Sequence, residues 1–220
     1  MKKVLLAVVL AFLTLPVCAQ LEQGQHMLGG RLGLGFQLNN SGVMYSNQNN
    51  SVDWGTLGAE YGLSYYYIAT PAVGVGAEIT YGDFEGGSFD NLFSSDDAED
   101  DTHFFSVMAT ARYTANPENR FRFYAPIGLG IVSAHQHLSI DTHTIHYNKK
   151  AKDSSVGWFI GVGMEGDIGN EGWSLGAEAR YSAFWFDSDK LTRDAPAEVK
   201  SRGTRRLDYL TFMVRLSKRF

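Results

Sequence analysis

Residues 207–220 read LDYLTFMVRLSKRF. Leu210, Phe212, Val214 and Leu216 are apolar at every second position, and the chain stops on an aromatic, Phe220. Tyr209, Thr211, Met213, Arg215 and Ser217 fill the places between them and form a more polar set. A period of two puts these sets on opposite faces of an extended strand. No later sequence follows to cover the apolar face, which is therefore expected to meet hydrocarbon.

Seven earlier segments alternate in the same way: Met27–Leu38, Trp54–Tyr67, Val73–Tyr81, His103–Tyr113, Phe121–Ser133, Val156–Ile168 and Trp173–Trp185. In each, Leu, Val, Ile, Ala and aromatics hold one parity, while Gly, Ser, Thr, Glu and Arg hold the other. Pro126 sits inside the fifth segment, where a ladder donor is missing, and this predicts a bulge. Long polar connections (39–53, 82–102, 134–155 and 187–206) alternate with short ones (68–72, 114–120 and 169–172). Aromatics of the apolar faces collect near the segment ends. Tyr65, Tyr67, Tyr113, Phe121, Trp173 and Phe220 mark the short-turn end, and Phe36, Trp54, Tyr81, Trp158 and Trp185 the long-loop end. These are the girdles of a bilayer-spanning barrel.

The predicted fold is all-β: an eight-stranded antiparallel up-and-down transmembrane β-barrel with short periplasmic turns and long extracellular loops. A soluble sandwich or lipocalin-like barrel would turn the apolar faces inward. Its exterior would then pair Glu and Arg with many glycines, which have no side chain to offer water. Small residues beside large charged ones suit a narrow interior instead.

The N-terminus reads as a separate element. Lys2 and Lys3 form a positive start, Val4–Leu15 an apolar core, and Val17-Cys18-Ala19 a small-residue cleavage site. Residues 1–19 are thus expected to be a cleaved signal peptide, and residues 20–220 the barrel domain. The apolar run is shorter than the roughly 20 residues of a spanning helix. Cys18 admits a lipoprotein reading, but Pro16 and Val17 fit that motif badly. Cleavage after Ala19 removes the one cysteine of the chain, so no disulfide or thiolate metal site is expected. A net charge of −5 gives nucleic acid no electrostatic attraction.

Counting inward parity gives Arg31, Arg112, Arg122, Arg180 and Arg215 against Glu60, Glu78, Glu165, Asp167 and Glu178. An eight-stranded lumen is only wide enough for side chains to fill. Charges in such a space must be paired, and Arg forks onto carboxylates. The expectation is a salt-bridged plug; the same residues lining a narrow ion path is the alternative. Acids held against Arg stay ionised and make poor general acids.

Other motifs carry less. Asp83, Glu85, Asp90, Asp96, Asp97, Glu99, Asp100 and Asp101 crowd the second long loop with no Lys or Arg, read as a solvated acidic loop or a divalent-cation site. His135, His137, His143 and His146 occupy the third, and zinc or copper is the chemistry they would offer. Gly161–Gly166 spells G-x-G-x-x-G but lies within a strand, so no dinucleotide site follows. No cofactor is called for. Lys190, Arg193, Lys200, Arg202, Arg205 and Arg206 in the fourth loop suit lipopolysaccharide phosphates or plain surface charge.

With its Gly-x-Gly strands, inward Glu and Arg and a terminal Phe, the chain resembles the small outer-membrane barrel family, that of the OmpA transmembrane domain, OmpX and related porin-family proteins. Leu210, Phe212, Val214, Leu216 and Phe220 resemble the C-terminal assembly signal of that class. The resemblance implies residence in the outer membrane of a Gram-negative bacterium and insertion by the barrel assembly machinery. It also implies surroundings of lipid and lipopolysaccharide, and a role in envelope integrity, adhesion or host contact; it carries over no residue-level function. A non-enzymatic monomeric barrel binding an extracellular ligand through its loops is the first reading, and a small channel the second. His137-Leu138-Ser139 is similar to the His-x-Ser of outer-membrane lipid A deacylases, the third reading, although the flanking residues do not match.

Overall fold

The computed structural model describes residues 21–38, 43–45, 51–52, 57–85, 97–141, 146–169, 171–186, 193–195, 199–201 and 206–220. The expected signal peptide, His143, and Asp90 and Asp96 of the acidic run lie outside them. Eleven strands follow in order: β1 His26–Gln37, β2 Val43–Tyr45, β3 Ser51–Val52, β4 Leu57–Thr70, β5 Val73–Glu85, β6 Asp97–Thr114, β7 Phe121–Asp141, β8 His146–Ile168, β9 Trp173–Trp185, β10 Val199–Ser201 and β11 Arg206–Arg219. Eight of them close a ring in the order β1-β11-β9-β8-β7-β6-β5-β4, every neighbour antiparallel. The barrel predicted from the alternation is the barrel observed.

Closure is made by the last strand. β11 pairs with β1 from Met27↔Arg219 to Gln37↔Tyr209, so the first and last elements seal each other's edges. Hydrocarbon offers backbone groups no hydrogen-bond partner, and an open edge there would cost several kcal/mol per group. The outward faces carry the apolar parity: Phe212 is 51% exposed and Val162 66%. The inward parity is sealed, with Arg122 and Thr211 at 0%. Tyr65, Tyr67, Tyr113 and Phe220 ring the short-turn end, and Phe36, Tyr81, Phe105 and Trp185 the other.

Short turns are built by local chemistry. Pro71 starts the β4–β5 turn, and Thr70 Oγ1 accepts from the Val73 amide at 3.1 Å. Asn116 clasps the β6–β7 turn by donating to the Phe121 carbonyl (2.7 Å) and accepting from the Phe123 amide (2.8 Å). Gly169 and Gly172 adopt φ of +65° and +77° in the β8–β9 turn, conformations that side chains disfavour.

Three expectations are corrected. No bulge forms at Pro126. The β7–β8 register is the same on either side of it, and Ala125 and Pro126 are simply skipped in that ladder. Pro126 faces inward, paired with Arg112 on the β6 side. The irregularity lies instead at Ile68/Thr70, where β4 turns into β5. Second, much of the third loop is strand. β7 runs on to Asp141 and β8 begins at His146, while β6 starts at Asp97 rather than His103. Alternation continues there with Ala134, Gln136, Leu138 and Ile140 buried on one side, a pattern masked by the polar residues opposite. Third, the first and fourth loops contribute β2, β3 and β10, which form a small sheet of their own.

Glycine is needed where strands approach closely. A Cβ on Gly76 would lie 1.8 Å from the Tyr65 carbonyl oxygen, a backbone atom that cannot rotate away. Gly76→Ala should therefore destabilise the folded barrel by roughly 1–3 kcal/mol, the usual cost of overpacking. Urea unfolding followed by tryptophan fluorescence in phospholipid vesicles measures this, and an unchanged midpoint would contradict the assigned β4–β5 packing.

Candidate functional site

The lumen is the place where the sequence concentrates chemistry that the lipid-facing surface cannot hold. Its inward side chains stack in layers from the short-turn end upward. At the bottom, Leu21 folds under the mouth, its amide donating to the Pro117 carbonyl at 3.1 Å, and its side chain is buried. Above it Arg122 forks onto Asp167, with Nη2–Oδ1 at 2.5 Å and Nη1–Oδ2 at 2.9 Å. Arg219 Nη2 reaches the same carboxylate at 2.8 Å. Glu165 Oε1 takes Arg122 Nε at 3.2 Å and Arg112 Nη2 at 2.6 Å.

The middle layer holds the remaining charges. Glu78 is shared by Arg31 and Arg180; Arg180 Nη1 is 2.5 Å and Nη2 3.2 Å from its two oxygens. Arg180 also donates to Glu178 Oε1 from Nη2 (2.6 Å) and Nε (2.8 Å). Strands β9 and β5 stand opposite each other in the ring, so Glu178–Arg180–Glu78 crosses the full diameter. Arg31 Nη2 lies 3.4 Å from Glu60, whose other oxygen accepts from Thr211 at 3.2 Å. Arg215 is 3.9 Å from Glu178, and the Tyr124 hydroxyl donates to that acid at 3.1 Å. Aromatic faces take up guanidinium planes, Arg112 over Tyr124 at 3.8 Å and Arg180 over Phe159 at 3.6 Å.

A third layer was not anticipated. Phe84, Phe104, Phe159, Phe184 and Tyr209 are buried inside the barrel toward the loops. Phe104 and Phe184 lie 5.4 Å apart between ring centroids, and Phe84 and Tyr209 5.3 Å. All ten inward charges named from parity thus fall in the lumen, joined by Arg219, which the count omitted. Arg219 shares the parity of Arg215 and Ser217, so extending the alternation by two residues would have found it. The same reading finds Phe104 from Ser106, Phe159 from Gly157 and Gly161, and Phe184 from Ser182. The interior therefore holds six arginines against five acids among the described residues, not five of each.

Beyond the rim, β6, β7 and β8 continue as a three-stranded extension, roughly 27 Å of strand from Ser133 to Asp141. His135, His137, Lys150 and Lys152 face out from it. His103 pairs with Asp83 at 2.8 Å and His146 with Asp141 at 2.6 Å. His137 Nε2 meets Asn148 Oδ1 at 3.2 Å and Asp141 is held by His146, so among the described residues both candidate partners of Ser139 are engaged elsewhere. Among the described residues no group of three or more His, Cys, Asp or Glu is arranged to hold a metal. From the fourth loop, Asp194 holds Lys149 at 2.6 Å, which keeps that carboxyl below, and the ammonium above, its usual range.

The class follows from closure, outward apolar bands and an interior of buried, ion-paired side chains. The chain belongs to the outer membrane protein β-barrel domain family, whose model matches residues 5–220. It is a protein of the Gram-negative outer membrane. Similar solved structures include Neisserial surface protein A (14% identity, 90% of this chain and 98% of that one, TM-score 0.50). Outer membrane protein OprG from Pseudomonas aeruginosa aligns over 93% of this chain and 99% of its own, at 9% identity and TM-score 0.54. Outer membrane protease OmpT from Escherichia coli aligns over 95% and 100%, at 9% identity and TM-score 0.51. At these identities they show the fold alone. No curated protein matches the sequence.

Removing one partner of a buried ion pair strands the other, at about 3–5 kcal/mol. Glu78→Gln leaves Arg31 and Arg180 short of a shared carboxylate and should lower stability by about that amount in urea unfolding. A loss under 1 kcal/mol would contradict the assigned contacts. Outside the membrane, the lowered Asp194 carboxyl contributes above its unfolded pKa and loses that contribution as pH falls through the folded value. The raised Lys149 contributes at lower pH and loses it as pH rises through its folded value. The pair should persist across neutral pH, and Lys149→Ala should move the NMR titration of Asp194 upward; an unmoved titration would refute the contact.

Proposed function

We propose that this protein is a non-enzymatic, non-conducting barrel that works through its outer end. One observation carries the reading: the Glu178–Arg180–Glu78 bridge spans the lumen from β9 to the opposite strand β5. An ion crossing in either direction would have both to part buried, charge-assisted pairs and to displace the aromatic layer on their loop side. What remains for function is surface: the β6–β8 extension and the connections around it, contributing to envelope structure or to contact with an extracellular ligand. The C-terminal strand, with Phe212, Val214 and Phe220 turned to lipid, supports insertion by the barrel assembly machinery as a monomer. Cleavage of residues 1–19 during export belongs to the same reading.

Planar bilayer recordings of the refolded protein test it. The expected record shows no steady conductance at moderate potential. Steady, voltage-independent current steps would overturn the plug and favour a small channel lined by the same arginines and acids.

A further inference from the structure

The membrane face of the closing seam is not flush. Cross-strand rows run over β4, β1, β11 and β9 in turn. Tyr65–Leu28–Lys218–Trp173 lies nearest the periplasmic rim, then Leu63–Gly30–Leu216–Leu175, then Tyr61–Leu32–Val214–Ala177. Gly30 stands where its row-mates carry leucine. A methyl added there meets nothing nearer than Leu63 Cδ2, at 3.9 Å. Gly30 lies on the floor of an open apolar groove of about 610 Å³, bordered by Gly29–Arg31, by leucines and by Val214. Trp173, Lys218 and Phe220 close its periplasmic end.

Lys218 makes this more than a gap in the apolar surface. Its ammonium packs over the Trp173 ring at 5.1 Å from the centroid, and no carboxylate is paired with it among the described residues. A lysine with an aromatic neighbour at the membrane boundary places a positive charge at headgroup height. The groove runs from that charge toward the bilayer centre. Cation above, hydrocarbon slot below is the complement of an anionic amphiphile, and the leaflet at this end of the barrel is phospholipid.

We infer that the seam groove is a binding site for one glycerophospholipid of the periplasmic leaflet, its phosphate on Lys218 and one acyl chain against Gly30. The chain lies across β1 and β11 together and so brackets the junction that closes the barrel. The site is independent of whether the lumen conducts.

Native mass spectrometry of the detergent-solubilised protein, titrated with dioleoylphosphatidylglycerol or with dioleoylglycerol, provides the test. Wild type should retain one phosphatidylglycerol. Gly30→Leu puts a branched side chain on the floor of the groove, where the acyl chain would lie, and should lower retention at least tenfold, while keeping the folded mobility on unheated gels. Gly30→Ala, which meets no close contact, serves as the milder variant and should lower it partially. Lys218→Gln should weaken phosphatidylglycerol about fivefold, the value of one lysine near an anionic lipid surface, and leave dioleoylglycerol unchanged. Lys150→Gln, beyond the opposite rim, should change neither. Equal retention by wild type and both Gly30 variants would overturn the site. So would efficient disulfide-linked dimers of Gly30→Cys in bilayers, which would give the groove to a second copy.

Discussion

Everything in this molecule follows from the absence of water in hydrocarbon. A strand in a bilayer must satisfy its backbone on both edges and turn an apolar face outward. Both demands are met at the β1–β11 seam, where the two ends of the barrel domain meet in unbroken register from Met27↔Arg219 to Gln37↔Tyr209. Once the ring is closed, the inward parity has nowhere else to go. Six arginines and five acids are then sealed with one another, and stability rests on how completely they pair.

That pairing is organised by depth. Near the periplasm, two acids and three arginines are tied into one cluster around Asp167 and Glu165. At mid-height, Arg180 and Arg31 converge on Glu78. Toward the loops, charge gives way to Phe84, Phe104, Phe184 and Tyr209. A guanidinium lying on Phe159 marks the boundary between the two regimes. Glycines on the inward face are the steric counterpart of these large side chains. A Cβ on Gly82 would fall 2.1 Å from Phe104 Cε1, and one on Gly62 2.6 Å from Arg31 Nε.

The barrel was legible because alternation with a period of two is a direct image of the fold: Leu210, Phe212, Val214 and Leu216 turn outward and Thr211, Met213 and Arg215 inward, as read. The inward charges were legible for the same reason. What escaped were features for which polarity and parity part company. Phe104 and Phe159 are apolar yet inward, because a lumen needs volume as well as charge. His135 to Asp141 looks like loop, because beyond the rim the outward face meets water and carries His, Ser and Asp instead of Leu. Pro126 breaks a local rule without a bulge, since losing two rungs of one ladder costs less than shifting the whole register. The pairing partners themselves, such as Arg180 with Glu78 across the barrel, depend on shear and were invisible to parity.

The face assignment is the claim on which the rest stands, and spin-label accessibility in lipid bilayers tests it most directly. Labels on Leu175→Cys and Val214→Cys should collide with dissolved oxygen and be shielded from a water-soluble nickel chelate, while a label on Lys152→Cys should show the reverse. Nickel accessibility at Leu175 and Val214 would contradict the account.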